Sequence, residues 1–80
     1  MSRQEINMPR MGAAMKEGEL LNWIIKVGDH VDKGEGICEI QAEKMAAEIE
    51  SIYSGTLVEI VAEVGETYEV GSVLAYIEED

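Results

Sequence analysis

The stretch Gln41-Ala42-Glu43-Lys44-Met45 stands between two runs that read as strands. Gly36-Ile37-Cys38-Glu39-Ile40 precedes it. Ala46-Ala47-Glu48-Ile49-Glu50-Ser51 follows, alternating small or apolar residues with carboxylates as a half-exposed strand does. No glycine or proline punctuates the join, so the turn is tight and built on ordinary residues. This places Lys44 at the tip of a hairpin, with its amine held away from the sheet. On position alone a lysine at a loop tip is only a solubilising residue, and the rest of the chain gives this one its meaning.

Working outward, Glu5-Ile6-Asn7-Met8-Pro9 reads as a first strand ended by proline. The loop Met11-Gly12-Ala13-Ala14-Met15-Lys16-Glu17-Gly18 follows, its methionines placed to cap a core. Residues 19–27 and 56–64 read as long strands, Val31 and Tyr68 as brief extended pieces, and residues 73–77 as the closing strand. No segment holds a helical period over three turns. The two long strands belong to a repeat at one constant spacing of 37 residues, Gly28 to Gly65, Gly34 to Gly71 and Ile40 to Ile77. Two copies are too few for a solenoid and suit a closed pair of sheets related by a pseudo-two-fold axis.

The second copy alternates cleanly, with Glu59 and Glu63 on one side. Strict alternation therefore predicts a core face of Leu21, Trp23, Ile25 and Val27 packed with Val58, Ile60, Ala62 and Val64. Two such sheets face to face form a flattened, all-β barrel. By the same spacing, the counterpart of the Lys44 hairpin falls where the chain's two ends meet. The lysine is then displayed at the end opposite the termini.

Eighty residues make one domain, 1–80, small enough to bury only about 60% of its unfolded surface. One cysteine excludes an internal disulfide, and one histidine leaves no ligand set for structural zinc. Cys38 shares a face with Ile40 and Ala42 and reads as packed; His30, in Gly-Asp-His-Val, reads as a surface residue. The net charge of −11, from 17 acidic and 6 basic groups, disfavours nucleic acid. It also suits a soluble monomer steered toward basic partners. No long apolar run or signal peptide points to a membrane or to export, so a cytoplasmic location is expected. No nucleophile–base or carboxylate pair marks the domain as catalytic.

The run Met8-Pro9, Met11-Gly12, Met15, Glu17-Gly18, then Trp23, Gly28-Asp29, Val31, Gly34-Glu35 and Glu43-Lys44 resembles the lipoyl domain of acyltransferase components in 2-oxo acid dehydrogenase complexes. The resemblance covers roughly residues 8–77. It implies a barrel-sandwich hybrid of two four-stranded antiparallel sheets, with lipoate in amide linkage to Lys44. It also implies that Glu43 and Met45 are read by the attachment enzyme. The implied partners are a lipoate attachment enzyme, a thiamine-dependent dehydrogenase or acetoin-cleaving component, an acyltransferase core and dihydrolipoamide dehydrogenase. The domain itself is then a non-catalytic carrier, and the chemistry belongs to the cofactor. At the tip, Glu43-Lys44-Met45 stands where lipoyl domains usually show Asp-Lys-Ala. Biotin carrier domains share the fold and usually show Met-Lys-Met, so Met45 leans toward them while Glu43 leans back. A biotin carboxyl carrier and an unmodified interaction module are the alternatives.

Overall fold

The computed structural model describes residues 2–42 and 45–80. The elements found there are strands: β1 (Ser2–Asn7), β2 (Glu17–Trp23), β3 (His30–Val31), β4 (Gly36–Ala42), β5 (Met45–Glu50), β6 (Gly55–Ile60), β7 (Thr67–Glu69) and β8 (Val73–Glu79). They build two four-stranded antiparallel sheets, in the orders β1-β8-β6-β3 and β5-β4-β2-β7. The fold is the all-β barrel-sandwich expected.

The 37-residue repeat is written into the register. Leu20 pairs with Ile40 as Leu57 pairs with Ile77, and Trp23 pairs with Cys38 as Ile60 pairs with Ala75. Gly28, Gly34, Gly65 and Gly71 all have φ between 92° and 99°, which L side chains rarely adopt, so glycine recurs at both equivalent turns. The amide of Gly28 donates to the carbonyl of Leu57, and that of Gly65 donates to the carbonyl of Leu20. Each long strand is thus stitched to the turn after the other.

Leu20, Leu57, Ile37, Leu74, Ile40, Ile77 and Val31 are each at most 1% exposed and form the heart of the core. Here strict alternation fails. Leu21 and Val58 are only half-buried, while Val27 and Val64 are 55% and 56% exposed. The cause is a bulge in each copy: the register slips between Leu20 and Asn22 in β2, and between Leu57 and Glu59 in β6. A bulge places one extra residue on a strand and so switches which parity faces inward. Gly18 and Leu20 point in before it; Trp23 and Ile25 pack against the core after it. Val27 and Val64 lie beyond the strand ends, on the turns.

Met8 (1% exposed) and Met15 (5%) plug the core beside Gly18, where an added Cβ would lie 3.1 Å from the Met8 sulfur and 3.2 Å from the Met15 methyl. Gly55, the equivalent of Gly18, is tighter: a Cβ there would run into the backbone carbonyl of Glu78. Among the described residues, no buried side-chain nitrogen or oxygen lacks a hydrogen-bond partner.

Candidate functional site

Strand β4 delivers the chain to the site and β5 takes it back. Their ladder runs from Gly36 opposite Glu50, through a register shift before Cys38, to Ala42 opposite Met45, its last pair. Glu43 and Lys44 follow Ala42 in sequence and lie outside the described residues. Ala42 is buried, 6% exposed, and anchors the incoming arm; Met45 opens the outgoing arm with 52% of its surface exposed. Of the three tip residues singled out from the sequence, Met45 is therefore the one whose surroundings are seen.

Those surroundings include a second segment. Residues 11–15 form a closed turn: the Met15 amide donates to the Gly12 carbonyl at 3.1 Å, and the Met11 amide donates to the Met15 sulfur at 3.2 Å. The turn lies against the end of the β4–β5 ladder, and Met11, Ala13, Ala14, Met15, Ala42 and Met45 line an apolar cleft of about 230 Å³ between them. From sequence these methionines are expected to cap the core. Met15 does so, but with Met11 it also walls this cleft. The two alanines between the methionines, small and exposed, were the available signal.

The opposite end of the molecule holds Ser2 and Asp80. The Lys33 amide donates to the Ser54 hydroxyl at 2.9 Å, and the Asp80 amide donates to the Ser54 carbonyl at 3.0 Å. Gly34 meets Ser51, just past the far end of β5, and Gly36 pairs with Glu50. The six residues of β5 thus separate Met45 from this end by roughly 20 Å. Ser2 pairs with Glu79 there, in the position equivalent to Ala42 with Met45. His30, read as a surface residue, is exposed at this end, and its Nε2 lies 2.9 Å from the Asp80 carboxylate. That hydrogen bond, with Asp32 and Glu35 nearby, raises its pKa.

The two sheets differ in charge. On the β5-β4-β2-β7 sheet, exposed Glu17 pairs across from Glu69, and Glu39 from Glu48. Like charges directly opposite each other weaken a sheet, so these pairs are not there for stability. On the other sheet Arg3 bonds Glu59 at 2.8 Å and lies 4.7 Å from the centre of the Tyr76 ring. Buried Cys38 has its thiol pushed up to about 12 by loss of solvent. It is a core residue, as its strand face implied. Among the described residues, no three His, Cys, Asp or Glu side chains gather to hold a metal.

The biotin/lipoyl family model, described as biotin-requiring enzyme, matches residues 4–77. The dihydrolipoyllysine-residue acetyltransferase component of the acetoin cleaving system of Bacillus subtilis is 47% identical over 73 residues. That alignment covers 91% of this chain and 18% of the relative. The lipoamide acyltransferase component of the branched-chain alpha-keto acid dehydrogenase complex of Bacillus subtilis is 36% identical, over 98% of this chain and 18% of its own length. The chain therefore spans about a fifth of these relatives. Among solved structures, the lipoyl domain of the 2-oxoglutarate dehydrogenase complex from Azotobacter vinelandii superposes with a TM-score of 0.76 at 28% identity, covering 94% of this chain and 95% of that one. Kluyveromyces lactis urea carboxylase gives a TM-score of 0.81 at 24% identity, over 98% of this chain and 6% of that one, which is a likeness of fold alone.

Proposed function

The chain belongs to the biotin/lipoyl attachment family, and on that premise we propose that it is a lipoyl carrier domain, with lipoate joined to Lys44. The carrying observation is the acetoin-system relative, a dihydrolipoyllysine protein 47% identical over nine-tenths of this chain, set against a carboxylase likeness confined to the fold. The described residues suit the role. The strands framing residues 43 and 44 are anchored through Ala42, and the cleft lined by Ala42, Met45 and the 11–15 turn is apolar. Attached lipoate supplies a dithiolane that accepts an acyl group and two electrons and later releases both.

The chain's own contribution is display and recognition. A fixed attachment point converts diffusion between enzymes into a high effective concentration. Partners follow from the reading: a lipoate attachment enzyme that recognises Glu43 and Met45, a thiamine-dependent dehydrogenase component, an acyltransferase core and dihydrolipoamide dehydrogenase. The acetoin system is the leading candidate for the parent complex, since it supplies the 47% relative.

The test is intact mass after co-expression with a lipoate attachment enzyme or, separately, a biotin attachment enzyme. Lipoate adds to the parent, biotin does not, and Lys44→Gln abolishes the gain while leaving the melting curve in place. The double swap Glu43→Lys with Lys44→Glu keeps composition and charge but moves the amine by one residue, which turns it to another side. It is expected to lose modification. A swapped domain that melts like the parent and is lipoylated as fast would sink the assignment of Lys44.

A further inference from the structure

We propose that the cleft between the 11–15 turn and the end of the β4–β5 ladder is a resting site for the dithiolane end of the arm, an inference that rests on the carrier reading above. Position is the first ground. Ala42 and Met45, the residues on either side of 43 and 44, are themselves part of the lining. An arm attached there needs only to fold back, and tethering gives it a high local concentration at the cleft.

Size and chemistry are the second ground. An apolar cavity of about 150 Å³ accepts a benzene-sized ring; this one, at about 230 Å³, has room for a five-membered dithiolane and adjoining methylenes. Met11, Met15 and Met45 present polarisable thioethers on adaptable side chains, well suited to a sulfur-containing apolar group. Ala13 and Ala14 keep the entrance open by being small.

The third ground is that the wall is built before any arm arrives. The Met15 amide is spent on the Gly12 carbonyl and the Met11 amide on the Met15 sulfur, so the turn holds its shape through its own bonds. Met15 is also fixed from behind by the core. A preformed site loses less freedom on binding than one that must assemble.

The arm thereby rests on apolar surface between visits, partly shielded from water, and a partner enzyme must draw it off.

The experiment uses the domain with its methionine methyls labelled by ¹³C, compared unmodified and lipoylated by NMR. Met45 adjoins the attachment residue and shifts in any case, so Met11 and Met15 decide. Both methyls are expected to shift on lipoylation and to show cross-relaxation to arm protons, while buried Met8, outside the lining, stays put. In Ala14→Glu, which adds a charge at an exposed lining position, attachment proceeds but the Met11 and Met15 changes are lost. Lipoylation that moves Met45 alone overturns the resting site and leaves the carrier reading intact. A domain that never accepts lipoate overturns both. Should Ala14→Glu fail to fold, the parent comparison still decides.

Discussion

His30 sits between the Asp80 carboxylate at 2.9 Å and that of Asp32 at 3.8 Å. The hydrogen bond to Asp80 raises its pKa above the unfolded value of about 6.5. The stabilisation is therefore fully present below the unfolded value and fades as pH rises through the folded one. Against His30→Gln, the parent's melting advantage should be greatest between the carboxylate range and about pH 6.5, and should close at higher pH. An advantage that does not change with pH would remove the pair from the account. Cys38 makes the opposite kind of prediction: a thiol reagent at pH 8 should find none in the folded domain and one after guanidinium unfolding. The packing of Cys38 was legible in its alternation with Ile40 and Ala42. The partner of His30 was not, because it lies 50 residues away and is reached only through the closed fold.

Paired strands carry the lesson at the scale of elements. The repeat and its glycine turns could be read from spacing, and the strands fell within a few residues of their places. What could not be read was the parity switch, since a bulge changes pairing without leaving a mark in an apolar run such as Leu20-Leu21. Trp23 and Ile60 still occupy matching positions, because the slip occurs at the same point in both copies. The expected energetics follow the bulge. Leu20→Ala and Leu57→Ala should each cost about 2–5 kcal/mol in urea unfolding, as large-to-small core changes do. Val27→Ala and Val64→Ala should stay within about 0.5 kcal/mol, as changes at exposed sites do. Gly55→Ala should unfold the domain more readily than either valine change, because its new Cβ meets backbone that cannot move aside.

For the whole molecule, the charge excess gathers meaning from its placement. The sheet that carries the β4–β5 hairpin also carries exposed Glu17, Glu39, Glu48 and Glu69, in two like-charged cross-strand pairs. Such a face speeds encounter with a basic partner more than it tightens the complex. Salt screens exposed charges to a reach of roughly 8 Å at physiological strength. Reductive acylation of the lipoylated domain should therefore show kcat/KM falling as salt is added, and a flat profile with a salt-tolerant partner enzyme would discard the steering. The pairing of Ser2 with Glu79, equivalent to that of Ala42 with Met45, has a topological consequence. The two halves thus carry equivalent terminal rungs, one of which is crossed by residues 43 and 44 of the sequence. A variant in which a short acidic-residue–lysine turn joins Glu79 to Ser2 would offer an attachment enzyme a second candidate tip, and a gain of one extra lipoyl group in intact mass would show the two rungs to be equivalent in use as well as in register.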